Sequence, residues 1–372
     1  MGKKIGAILL IGCLLLTILP VTVMAGTTDT PVTVGEEATN KLTLTLDQVA
    51  DLALKESNAL KAADYEIERT KEVRQFASDG LYYTPTSTPP SSVKKVFSSV
   101  LASDLAWQMS KKSRDAKADA IVLSAFEDYL GILTAQEKVT AAEKDLVSGE
   151  WKLRATRVGF QCGVVSGSDK TKTEDLYKGK VAALAAAKAA LEDSYQKLNS
   201  QIGLPATAKP VLTDKPTLIP LVIGSLESEV ESRLDASPNI WQADKSIELN
   251  KIQLDIIDAN YESWYAKKVE VDKSEETAAD ARDKMRQAVR NIYYSLRQLE
   301  EQYISTQQLL AQAEEGLRVK QVQFNVGTAT KGDVLTAEAE VANLQQSLTA
   351  LCNQHETLKL TFDKPWAAAA NG

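Results

Sequence analysis

The sequence predicts an all-α protein built from two tandem, long, antiparallel helical hairpins of coiled-coil character. Three observations carry this. Apolar residues recur at alternating steps of three and four over dozens of residues. The runs come in pairs, joined by short glycine-bearing gaps. The paired arrangement then occurs a second time along the chain.

The clearest run is Val289, Ile292, Leu296, Leu299, Tyr303, Thr306, Leu310, Ala313, Leu317, Lys320 and Phe324, and its mate runs from Val334 through Ala337, Val341, Leu344, Leu348, Leu351, His355 and Leu358 to Phe362. Steps of three and four average 3.5 residues, which keeps one helix face on a partner and winds the pair left-handed. A gap holding Gly327, Gly332 and Asp333 separates the two, so they are antiparallel neighbours. Earlier, Leu123, Phe126, Leu130 and Leu133 begin a seam that resumes, after a phase shift, at Val139 and continues to Phe160. Its return helix carries Tyr177, Val181, Leu184, Lys188, Leu191, Tyr195, Leu198 and Ile202, and stops at Gly203 with Pro205 beyond. The stems of Lys188 and Lys320 are expected to lie along apolar surface with their charges outward, and His355 to be a satisfied interface residue. Seams this rich in Ala and Gly bury little per turn, so the hairpins need neighbours beyond their own chain.

The repeat shows at two places. Leu46, Leu54, Ser57, Leu60, Ala63 and Asp64 match Leu226, Leu234, Ser237, Ile240, Ala243 and Asp244 at a constant offset of 180. Gly163-Val164-Val165-Ser166 and Asp169 match Gly327-Thr328-Ala329-Thr330 and Asp333 at the hairpin tips. Each tip glycine suits the left-handed conformation that ends the descending helix. Ser166 or Thr330, and then Asp169 or Asp333, can accept the free N–H groups of the ascending one. On this chemistry alone the tips are plain α–α turns.

The first 25 residues read as a secretory signal peptide: Lys3 and Lys4, an apolar stretch from Ile5 to Leu19, Pro20, and the small-residue site Val23-Met24-Ala25. An uncleaved anchor is the alternative, but about 15 apolar residues are short for a spanning helix. Cys13 lies mid-way through the stretch, where a lipoprotein cysteine would not. No later stretch is long and apolar enough to span as a helix. Net charge is −7, and an acidic exported chain is a poor partner for nucleic acid. The single histidine excludes a His-based metal cluster, no cofactor motif occurs, and no phosphate loop or nucleophile elbow points to an enzyme. The many carboxylates fall on solvated helix faces.

Val326-Gly327-Thr328-Ala329-Thr330 followed by Asp333-Val334-Leu335 closely resembles the second-repeat tip of TolC-type outer-membrane efflux proteins, and Phe160 through Asp169 resembles the first. Leu44-Thr45-Leu46-Asp47-Gln48-Val49-Ala50 is similar to the family's opening helix, and Leu198-Asn199 through Ile202-Gly203-Leu204-Pro205 to its mid-chain junction. The resemblance implies a homotrimeric α-barrel, each protomer giving two hairpins, that conducts cargo without catalysis. It implies docking of a periplasmic adaptor, linked to an inner-membrane pump, through the tips: Gly327 and Thr328 with Val326, Thr330 and Asp333, and by repeat Gly163 and Val164 with Ser166 and Asp169.

In that family each repeat also gives two strands to a membrane β-barrel. Here the corresponding places are Asp79 to about Val100, with Pro85, Pro89 and Pro90, and about Trp264 to Lys273. A membrane strand needs about 9–11 alternating residues, and a hairpin two strands. Tyr82-Tyr83 and Lys268 to Val271 are vestiges at most, so the transmembrane strands are expected to be absent. The expected organisation is a signal peptide (1–25), a linker (26–43), a first hairpin repeat (44–205), a second linker (206–224), a second repeat (225–364) and a tail (365–372). Cys162 falls beside a tip and Cys352 some 35–40 Å up the last helix, too far for a disulfide. The competing reading is a structural coiled-coil protein of the envelope that conducts nothing.

Overall fold

The computed structural model describes residues 42–81, 91–256 and 263–369. The expected signal peptide and most of the 26–43 linker lie outside them, as do Tyr82 and Tyr83. The elements in order are β1 (Thr43–Leu44), α1 (Leu46–Glu56), α2 (Asn58–Asp79), α3 (Ser91–Gln161), α4 (Gly167–Ile202), β2 (Val211–Leu212), α5 (Leu226–Ala236), α6 (Pro238–Asp255), α7 (Trp264–Asn325), α8 (Lys331–Asp363) and α9 (Pro365–Ala369).

Four long helices set the architecture. α3 has 71 residues and α7 has 62, roughly 105 and 90 Å at helical rise. α3 packs on α4, α8 on α7, and α3 on α8, while α4 and α7 share no packed interface. The four therefore form an open row, α4–α3–α8–α7, with a free flank at each edge. α2 lies along the far half of α3, and α6 along the far half of α7.

The core is concentrated at the equator, where the short helices meet the long ones. One cluster joins Val49 and Ala53 of α1 to Ala125, Tyr129 and Ile132 of α3 and Leu198 and Ile202 of α4. A second joins Val230 and Leu234 of α5 to Val289 and Leu296 of α7 and Phe362 of α8. Thr45 caps α1 in a reciprocal capping box with Gln48. Ser57 caps α2 by accepting the Leu60 N–H.

Among the described residues β1 and β2 are the only strands. They pair in parallel at the equator, Thr43 with Val211 and Leu44 with Leu212. Tyr129 locks this junction: its hydroxyl accepts the Asp214 N–H at 2.9 Å and lies 3.3 Å from the carbonyls of both Leu44 and Asp214. Burial pushes the Tyr129 phenol up from its ordinary range.

The seams fall largely where the heptads put them. On α7, Val289, Leu296 and Leu299 are buried and Tyr303, Thr306, Leu310, Ala313 and Leu317 are half-buried, but Lys320 and Phe324 are exposed. Burial thus fades toward the tip. On α4 the expected Val181 and Lys188 prove to be exposed, and Lys180 and Ala187 take the seam. The reason is Gly149 on α3: a Cβ there would meet Lys180 Cδ at 2.7 Å. The missing side chain lets the lysine stem cross the interface, and its Nζ ends 2.8 Å from Asp145.

The expected absence of barrel strands holds in the described part of the strand-replacing segments. Residues 264–273 are the opening of α7, started by Ser263, whose hydroxyl accepts the Ala266 N–H. Lys268 to Val271 are accordingly helical. In the first repeat α3 already begins at Ser91. Cys162 is exposed and Cys352 buried, both free thiols.

Candidate functional site: the hairpin tips

Each descending helix ends on a glycine with positive φ: Gly163 at +74° and Gly327 at +80°. An L-side chain resists that conformation. The following amides then close the helix end in the same way twice. Val164 N–H donates to Gly159 O at 2.9 Å and Gly163 N–H to Phe160 O at 3.1 Å. Thr328 N–H donates to Gln323 O at 2.8 Å and Gly327 N–H to Phe324 O at 3.0 Å. This satisfies carbonyls that would otherwise be orphaned at the helix terminus.

The ascending helices start with equal economy. Ser166 Oγ accepts the Asp169 N–H at 3.1 Å and donates to Asp169 Oδ2 at 2.8 Å. Thr330 Oγ1 accepts the Asp333 N–H at 3.2 Å, and the Thr330 N–H donates back to Asp333 Oδ2 at 2.8 Å. That backbone donor, joined by the Thr330 hydroxyl, holds the Asp333 carboxyl below its usual range. All nine residues singled out in the sequence thus sit on the two turns. The glycines shape the chain, the hydroxyl and carboxyl residues cap it, and Val164 and Val326 project, 79% and 69% exposed.

Sequence reasoning missed two features. Beside each apex stands an exposed phenylalanine under a lysine: Lys170 is 4.9 Å from the Phe160 ring and Lys331 6.0 Å from Phe324. The two phenylalanines share the offset of 164 that relates the tips; the two lysines do not, so only the rings were legible as a repeat. The tips also stand at different heights. Ser148 of α3 meets Thr336 of α8 at 3.2 Å, and Trp151 lies against Gly332. α3 runs on ten residues past Trp151 before it ends, whereas α8 begins one residue before Gly332. The first tip overhangs the second by roughly 15 Å.

Residues 227–360 match the family model described as outer membrane efflux protein. The match takes in most of the second repeat, which is thus similar in sequence to that family. The same architecture extends through the first repeat, as solved structures show. The chain superposes on the CmeC outer membrane channel of Campylobacter jejuni with a TM-score of 0.67 at 14% identity, covering 87% of this chain and 85% of that one. For VceC of Vibrio cholerae the values are 0.63 and 14%, covering 87% and 95%. For a membrane protein of Pseudomonas aeruginosa they are 0.67 and 12%, covering 86% and 93%. No curated protein matches the chain. The helical fold of these solved structures thus extends over both repeats, and the described residues hold no barrel strand. Among them no helix is long and apolar enough to cross a membrane.

Proposed function

We propose that this protein is the helical conduit of an efflux or export system in the cell envelope. Three copies close side by side into a hollow ring, and the ring meets an adaptor and an inner-membrane pump through its staggered tips. One observation carries the reading: the row α4–α3–α8–α7 is open at both edges. Both edges carry exposed apolar side chains, Leu176 and Val181 on α4 and Ile304, Val319 and Val322 on α7, each 39–53% exposed. Edges of this kind on opposite ends of one protomer suit head-to-tail contact that closes by rotation. The fading burial toward the tips fits the same arrangement, because the missing neighbour is the next copy.

The test is a cross-link between edges. With the tip overhang included, Val181 of α4 and Val319 of α7 stand at about the same height. Val181→Cys together with Val319→Cys, in a Cys162→Ser background, gives a disulfide-linked closed trimer on mild oxidation. Light scattering on the uncross-linked protein gives three chain masses. A monomer at high concentration, with no cross-link, removes the conduit and leaves the structural coiled-coil reading.

A further inference from the structure

A cavity lies near the equator, where helices of the two repeats meet. Its volume is about 300 Å³, at the small end of ligand pockets. Leu133 of α3, Tyr303 of α7 and Leu348 of α8 line it, and residues 215–217 of the mid-chain segment complete the wall. That segment is tied on both sides of the cavity. The Asp214 N–H donates to the Tyr129 hydroxyl at 2.9 Å, and the Leu221 N–H donates to Glu300 Oε1 at 2.9 Å. The wall is therefore held by the fold on every side.

Asn353 belongs to the same lining and is 5% exposed. Its Nδ2 donates to Leu130 O at 3.0 Å and to Thr134 Oγ1 at 2.8 Å, which fixes the amide. Its Oδ1 is buried and has no partner among the described residues. A buried acceptor without a donor is unfavourable. A fixed acceptor beside apolar walls is also what orients a small ligand. The rest of the lining favours a neutral one. Burial pushes the Cys352 thiol and the Tyr303 phenol above their ordinary ranges, so both stay uncharged. The one acid and the one base of the lining, Glu137 and Lys215, are opposite in sign. An ion entering here would lose its hydration without a net counter-charge to replace it.

We propose that this cavity is a binding site for a small neutral molecule with an apolar body of ring size and one hydrogen-bond donor, which Asn353 Oδ1 accepts while Leu133 and Leu348 cover the body. The ligand touches α3 of the first repeat, α7 and α8 of the second, and the segment between the repeats, so its binding clamps their junction. The site is separate from the tips and from the edges of the row, and it stands whether or not the protein conducts.

Two probes test it on the processed chain: 2-naphthol, an aromatic frame with one O–H, and naphthalene, the same frame without a donor. Fluorescence titration gives saturable binding of 2-naphthol, one per chain. Naphthalene displaces it only at about tenfold higher concentration, the difference that one hydrogen bond makes. On the unsubstituted protein, 2-naphthol slows amide exchange in the 215–221 segment and around Cys352 and leaves both tips unchanged, a measurement that needs no variant to fold. Asn353→Leu brings the two probes to equal affinity, a ratio that general loosening of the site would not set. Thr349→Trp, which fills the cavity from its lining, abolishes binding of both. No saturable binding of 2-naphthol, equal affinity of the two probes for the unsubstituted protein, or exchange protection elsewhere than this junction overturns the proposal. So does undiminished binding by a folded Thr349→Trp chain.

Discussion

Trp151 and Gly332 hold the two hairpins together. A Cβ on Gly332 would stand 2.8 Å from Cδ1 and 3.0 Å from Nε1 of the Trp151 indole. This glycine, unlike Gly327 five residues earlier, has no positive φ, so its smallness serves close approach and not backbone conformation. Gly332→Val is therefore expected to force α8 off α3 and to cost about 1–3 kcal/mol, the usual price of overpacking. Trp151→Ala in the same chain should return most of that loss. Thermal unfolding of the two single variants and the double variant checks it: a coupling near zero would separate the two residues.

Gly327 gives the contrasting case. Its need is φ +80°, with open space where a Cβ would go. Gly327→Val is expected to leave helix content unchanged and to loosen only the second tip, by about 1–2 kcal/mol. Limited proteolysis should then cut between Phe324 and Thr330. Cleavage elsewhere first would place the strain outside the turn.

These two glycines show what was legible in the sequence. Gly327 and Gly163 stood between heptad runs with a capping residue three positions on, and local chemistry suffices for such a turn. Gly332 needs Trp151, 181 residues away in the chain, and no local signal points there. The same holds for β1 and β2, two residues each and too short for a period. Val181 was misassigned to the seam because both it and Lys180 fit a step of three or four. Only the hole left by Gly149 on the facing helix decides between them. The helices and their pairing follow from periodicity, whereas the order of the row follows from long-range complementarity.

At matching positions near the equator of each repeat, a polar pair crosses the long helices. In the first, Gln136 Nε2 donates to the Tyr195 hydroxyl at 2.8 Å. In the second, Glu300 lies 3.4 Å from His355 Nε2, accepts the Leu221 N–H at 2.9 Å and is met by Arg297 at 2.7 Å. Burial pushes the Glu300 carboxyl up, but the Leu221 N–H, Arg297 and His355 outweigh it and hold the group below its usual range. A carboxyl depressed in the fold contributes stability above its unfolded range, and that stability is lost as pH falls through the folded value. Acid is thus expected to release the 206–224 segment from α7 in the second repeat. Glu300→Gln, which restores the first repeat's residue, should flatten the acid dependence while keeping a partner for Leu221. Hydrogen exchange at Leu221 across an acid titration checks this, and an identical profile in wild type and variant would refute it.

Tyr129 ties the chain's opening strand to the mid-chain strand. Tyr129→Phe removes the only acceptor that the Asp214 N–H is seen to use, in a site whose aromatic ring is fully buried. Leaving that donor unsatisfied is expected to cost about 1–3 kcal/mol. The loss should appear as faster exchange at Asp214 and at Thr213, whose N–H donates to Leu44 O, with the tips unaffected. Global loss of helix at ambient temperature would instead make this junction necessary for folding.

The overhang makes the two tips unequal as docking elements. Val164 lies at the end of the longer hairpin, and Val326 about 15 Å behind it. If a partner approaches along the bundle axis, it meets the first tip before the second. Val164→Asp is then expected to weaken adaptor binding more than Val326→Asp, although the two valines are almost equally exposed. Neither valine packs in the core, so both variants should keep wild-type melting temperatures. Binding of a purified adaptor to immobilised wild-type and variant rings gives the comparison. Equal losses would mean that the partner spans both heights at once, and a larger loss at Val326 would place contact on the step between the tips, where α3 runs past Gly332.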